Sequence, residues 1–250
     1  MKKILSMLLV LCMALTLCSA AFAEGKSPVD GMTVAFIPKV SGNSFFEAAN
    51  DGAQKYAADW GLTVDYIGAP TADVTTQLEL IQQAIDKGVD AICISSVDAT
   101  GLDEKLQEAQ DAGIYVSTWD SDVSPNARAL MVSQGTADVL GPMLVDMAVE
   151  SLKERGVDVN GEVKYVWHFS NPSVSDQNSW YVAGDEYIKE KYPSWVAVHD
   201  PYYSNQDPAQ SVSVGESILD AYADVDVIIC NDSTALPGQC KAAENKGLTA

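Results

Sequence analysis

The sequence predicts an α/β protein built as two doubly wound lobes that face each other across a cleft. Three observations point there. Short apolar stretches alternate with helix-like stretches along almost the whole chain. The apolar stretches are nearly uninterrupted, as strands buried on both faces of a parallel sheet are. Glycine follows the first three helical stretches, at Gly61, Gly88 and Gly113, where a left-handed residue ends a helix.

The elements follow in order. A strand is expected at 33–37, then a helix at 45–60 stopped by Gly61. A strand at 63–67 leads to a helix at 74–87, stopped by Gly88. A strand at 91–95, a helix at 102–112 stopped by Gly113, and a strand at 115–118 complete the first lobe. Residues 120–128 contain Pro125 and have no periodicity, so the crossing between lobes is expected there. The rhythm then restarts, with strands at 129–133, 163–168, 196–199 and 225–230. Helices are expected at 137–155, 176–191, 209–222 and 235–246. The domain reading is a leader at 1–23, a linker at 24–30, a first lobe at 31–122 and a second at 123–250. No strand follows the last helix, so the fold reads as lacking its C-terminal part.

The start of the chain carries an address. Lys2 and Lys3 precede an apolar run over 4–18, and Ser19-Ala20-Ala21-Phe22-Ala23 closes it with an A-x-A pattern. This is the layout of a secretory signal, and the run is too short to span a bilayer comfortably. The expected mature chain begins near Glu24 and works outside the cytoplasm, in a periplasm or on the outer face of the membrane. Leu15-Thr16-Leu17-Cys18 loosely matches a lipoprotein box in which Cys18 would be lipidated, although Gly, Ala or Ser normally precedes that cysteine. The alternative is that Cys18 simply belongs to the apolar run.

The chain carries a net charge of −20. A field of that sign repels phosphate backbones, so nucleic acid is excluded as a partner. Cys93, Cys230 and Cys240 remain after cleavage at Ala23, an odd number with no short spacing, which argues against a disulfide framework. No Cys/His cluster has zinc spacing, and neither His168 nor His199 belongs to a metal motif.

In open α/β sheets ligands lie beyond the carboxyl ends of the strands. The segments there are Pro38-Lys39 through Phe45-Phe46, Trp119-Asp120-Ser121-Asp122, Ser170 through Asn178, and Asn231 through Gln239. Carboxylates that accept from paired hydroxyls, amides and a lysine that donate, and aromatic faces for C–H surfaces suit a polyhydroxylated ligand.

These segments together resemble the sugar-type periplasmic binding proteins of ABC transporters, and within them the branch that binds autoinducer-2. The stretches that carry the resemblance are Phe36-Ile37-Pro38-Lys39, Phe45-Phe46, Thr118 to Asp122, Asp176-Gln177-Asn178 and Ala235-Leu236-Pro237. The resemblance covers about Gly31 to Gly247. It implies the type I fold of that family, with a hinge, and ligand contacts from Lys39, Asp120, Asp176, Gln177 and Pro237. The family's last contact falls on Gln239, where alanine is expected. Phe45 and Phe46 are the implied aromatic contacts. The resemblance also implies a monomeric receptor with no enzymatic activity, cofactor or metal, which hands autoinducer-2 or a small sugar to a permease. Rhamnose- and pentose-binding relatives share the lobes and the Trp-Asp-Ser segment, so those sugars stay open as ligands.

Each residue also has a structural alternative. Lys39 suits a solvated loop, Asp120 a turn, and Asp176 a helix N-cap. Gln177 suits an exposed first turn, Phe45 and Phe46 suit core packing, and Asp232 suits the cap of the last helix. Asp120 with Asp122 would make a metal pair only with further carboxylates. Asp120 and Asp176 could face each other as a glycosidase pair. A sugar-dependent repressor would need a DNA-binding domain where the leader stands.

Overall fold

The computed structural model describes residues 27–248. The leader, Cys18 and the first residues of the linker lie outside the described residues. Two parallel sheets form separate lobes. In the first, β1 (Thr33–Ile37), β2 (Thr63–Tyr66), β3 (Ala91–Ile94), β4 (Tyr115–Trp119) and β5 (Leu130–Val132) lie in the order β2-β1-β3-β4-β5. Helices α1 (Ser44–Trp60), α2 (Val74–Lys87) and α3 (Asp103–Asp111) connect its strands. In the second, β6 (Lys164–Phe169) is central. β7 (Val196–Ala197) and β8 (Tyr202–Tyr203) pair with successive parts of β6, and β9 (Val227–Cys230) also pairs with it. Helices α4 (Ala137–Glu154), α5 (Ser175–Lys191), α6 (Pro208–Ala221) and α7 (Ala235–Asn245) belong to this lobe.

Local chemistry sets the helix ends. The Asn43 side chain accepts the Phe45 N–H at 2.9 Å to start α1, and Gly61 ends it at φ 72°. Asp73 accepts the Thr76 N–H at 2.8 Å to start α2. Asp207 accepts the Gln210 N–H at 2.7 Å to start α6, with Pro208 in the first turn, where a missing N–H costs nothing. Each lobe then buries its own core. Ile37, Ile81, Ile92, Ile94 and Leu106 are wholly buried in the first. Val145, Tyr165, Trp167, Phe169 and Ile188 are buried in the second. Burial of one such side chain stabilises the fold by about 1.5–3 kcal/mol.

In the second lobe α4 and α5 meet backbone to backbone. A Cβ at Gly141 would stand 2.6 Å from the Gly184 nitrogen, and one at Gly184 would stand 2.8 Å from the Trp167 ring. Only glycine at both positions lets α5 sit this close to α4 and β6.

Two expectations are corrected. The strand predicted at 129–133 as the start of the second lobe is β5, and it pairs with β4 in the first sheet, Ser117 opposite Leu130. A 3-10 turn at Pro125–Ala127 folds the chain back alongside β4, and Arg128 anchors it with a 2.7 Å bond to Asp122. The chain therefore leaves the first sheet after Val132 rather than within 120–128. The strand predicted at 196–199 keeps only Val196–Ala197 as β7, and β8 is a further strand not expected from the sequence, set apart by Pro201, which offers no N–H and restrains its predecessor. Among the described residues, no helix is long and apolar enough to cross a membrane.

Candidate functional site

The carboxyl ends of β1 and β4 face the start of α5 across the gap between the lobes. Lys39 leaves β1 and is 2% exposed. Its ammonium lies 3.0 Å from Asp120 Oδ2 and 3.1 Å from Asp176 Oδ1, so one buried cation joins a carboxylate of each lobe. Asp120 follows β4 in the left-handed region, φ 61°, which Asp tolerates better than most residues. Its carboxylate accepts the Ser95 hydroxyl at 2.6 Å and also the Gln134 amide. Asp176 stands in the first turn of α5, where the helix dipole favours an anion, and it accepts the Ser121 hydroxyl from the other lobe. The N-cap of α5 is Val174 rather than Asp176.

Burial in this triad shapes the titration of Asp176 and of Lys39. Burial, assisted by repulsion from Asp120, pushes the Asp176 carboxyl above its ordinary value despite the pull of Lys39. Burial disfavours the Lys39 ammonium, but Asp176 and Asp120 together outweigh it and hold Lys39 above its ordinary value. Asp122 turns elsewhere. Its carboxylate is held by Arg128 and by Thr118, and these bonds lower its carboxyl against the effect of burial. Among the described residues no group of three or more His, Cys, Asp or Glu could hold a metal ion.

Lys39, Asp120, Asp176 and Gln177 line one cavity of about 170 Å³ together with Phe45 and Phe46. Phe46 is 1% exposed and packs edge-on to Trp119, while Phe45 stays 38% exposed and stacks at 6.4 Å on the same indole. Gln177 is held rigidly. It accepts the Ser170 N–H at 3.1 Å and donates to Asp232 Oδ2 at 2.7 Å. Asp232 also accepts the Thr234 and Ala235 N–H groups and so braces the start of the last helix, although the N-cap position itself is Thr234.

Two of the sequence-predicted contacts lie elsewhere. Pro237 lines an adjoining groove rather than the cavity. The Gln239 side chain turns into the second lobe, with Oε1 3.2 Å from His168 Nδ1 and Nε2 3.5 Å from the Gly215 carbonyl. It therefore does not narrow the cavity, because the phase of α7 aims position 239 at β6 and α6.

The structure adds to the cavity Gln134, Trp180 and Gln206, which sequence reasoning missed, and singles out Asn231 and Ser233 from the strand-end segment 231–239. Asn231 donates to the Gln177 carbonyl at 2.7 Å, and Gln206 donates to Asp232 Oδ2 at 3.4 Å. Each amide is thus fixed by its nitrogen, and each leaves a buried oxygen without a protein donor. Two unused acceptors in a cavity wall suit a ligand that presents hydroxyl groups. Gln206 follows Asn205 in a left-handed pair, φ 50° and 57°, which aims it into the site.

A family model described as a periplasmic binding protein domain matches residues 34–250. The chain belongs to the periplasmic binding protein family. Its fold is the type I arrangement of that family, two parallel α/β lobes around a cleft. A solved structure of LsrB from Clostridium saccharobutylicum in complex with AI-2 is 59% identical, with a TM-score of 0.86 over 87% of this chain and 68% of that one. The D-ribose/D-allose-binding protein of Pseudomonas aeruginosa is 28% identical over 132 residues, which are 50% of this chain and 41% of that protein. The fold is shared with a solute-binding protein from Clostridium phytofermentas with bound L-rhamnose, at 24% identity and a TM-score of 0.80, over 87% of this chain and 66% of that one. This periplasmic binding protein thus matches less than half of its ribose/allose-binding relative and about two thirds of the two solved chains.

Proposed function

We propose that this protein is an exported solute-binding component of an ABC transporter. It captures autoinducer-2, or a closely related small sugar, between its lobes and presents it to the permease. One observation carries the reading: Lys39 holds Asp120 and Asp176 from opposite lobes in a single buried triad at the wall of a small polar-aromatic cavity. Such a cavity fits one furanose-sized polyol, with carboxylates and amide oxygens as acceptors, Lys39 as donor and Phe45 as an apolar face. The 59% identity to an LsrB solved with AI-2 supports autoinducer-2 over the other small sugars.

The protein binds its ligand without transforming it. Asp120 and Asp176 both bond the same ammonium, which commits them as paired acceptors rather than as a separate acid and nucleophile. The deciding experiment is calorimetric titration of the mature full chain with autoinducer-2, rhamnose and ribose. Micromolar or tighter binding of autoinducer-2, weakened at least about tenfold by Asp176→Ala, is expected; loss of one charge-assisted bond alone is worth that much. Preference for a plain sugar would move the ligand assignment, and hydrolysis of chromogenic glycosides would overturn the transport reading.

A further inference from the structure

A second hollow opens beside the cavity. It is a groove of about 350 Å³ lined by Asn43 and Pro70 of the first lobe and by Gln206, Thr234 and Pro237 of the second. Gln206 and Ser233 face both hollows, whereas Asn43 and Thr234 line only the groove. The Asn43 carboxamide spans the lobes at this point. Its Nδ2 donates to Thr234 Oγ1 at 3.0 Å and to Ser233 Oγ at 3.2 Å. Its Oδ1 meanwhile accepts the Phe45 N–H that starts α1. The amide cannot swing away without uncapping the helix that presents Phe45 and Phe46 to the cavity. At the other end Thr234 is 5% exposed and is itself the cap residue of α7. Both ends of the bridge thus sit on helix starts, which are fixed points of their lobes.

We propose that Asn43 is a positioning residue for closure. It fastens α1 to α7 across the groove and sets how long the ligand stays, without touching the ligand. This rests on the interlobe cavity being the ligand site. Release requires the lobes to part, so a bond made only between closed lobes acts on dissociation rather than on encounter.

The test compares Thr234→Val and Asn43→Ala with the wild type in stopped-flow binding of autoinducer-2 and of D-ribose by the mature full chain. Thr234→Val keeps the side-chain shape and leaves the α1 cap and the cavity lining intact. Thr234→Val should raise the dissociation rate about three- to tenfold, as for loss of one neutral hydrogen bond, with little change in association and the same preference between the probes, and Asn43→Ala, which removes both bridging bonds, should raise it at least as much. Unchanged dissociation in both variants overturns the proposal. So does an altered preference between the probes in Thr234→Val, which leaves the α1 cap intact, because the bridge would then shape the cavity rather than only hold it shut. If the wild type binds neither probe, the proposed function fails by itself. Fastening is then read by small-angle X-ray scattering, where Thr234→Val should enlarge the ligand-free radius of gyration and an unchanged curve overturns the proposal.

Discussion

Lys39 is the residue on which the site is centred, and its neighbours explain what the sequence could reveal. Lys39, Asp120, Asp176 and Gln177 each sit within two residues of a strand end or helix start, so their positions follow from local pattern alone. Gln239 does not. Which way its side chain points depends on how α7 is rotated against β6 and α6, and nothing in the local sequence states that phase. The structure gives Gln239 an internal task, bonding His168 and filling the space beside Gly215. Gln239→Ala should therefore lower stability by about 1–3 kcal/mol, the cost of a lost buried hydrogen bond and an unfilled space, and leave autoinducer-2 affinity unchanged. Denaturant melts alongside calorimetry check this; a large affinity change at constant stability would return Gln239 to the ligand.

Most strands and helices were legible as elements, because near-continuous apolar runs and glycine stops leave few alternatives. The misplaced elements were short edge strands. β5 registers as a strand, but its three residues do not say which sheet it joins; β8 has two, too few for periodicity to register; and their pairing is set by turns at Pro125–Ala127 and Pro201. The same blind spot hid Gln134, which follows β5, and Gln206, which follows β8. The contact of α4 with α5 is the other element-scale determinant. It sets where Asp176, Gln177 and Trp180 stand, since all three ride on the first turns of α5. Gly141→Ala places a methyl 2.6 Å from the Gly184 backbone, and the helices must part. The expected cost is about 1–3 kcal/mol, as for other overpacked sites, together with weaker ligand binding. A thermal melt and a titration on the same sample check both, and full retention of affinity would show that α5 is not positioned through this contact.

The lobes respond as one body to pH through the shared triad. Because the Asp176 carboxyl lies above its ordinary value, it takes up a proton before the ordinary surface carboxylates as the medium is acidified. The folded state then binds that proton more tightly than the unfolded chain does. This group's contribution to stability accordingly rises as pH falls through its folded value and is lost as pH rises. Ligand binding moves the opposite way, since a protonated Asp176 loses both its attraction to Lys39 and its acceptor role. Acidification should weaken autoinducer-2 binding over a range where melting shows no matching loss of stability, and Asp176→Asn should abolish that pH dependence. A parallel fall of stability and affinity would instead mean general acid unfolding.

The triad also has a consequence for traffic. Two carboxylates and one ammonium leave the wall of a cavity of about 170 Å³ with surplus negative charge. A neutral polyol enters without electrostatic cost, but a sugar acid or a phosphorylated sugar would bring like charge into a small, poorly hydrated space. On the proposed function, the site should therefore bind a neutral sugar in preference to the corresponding sugar acid or sugar phosphate, and a competition titration between the two checks this.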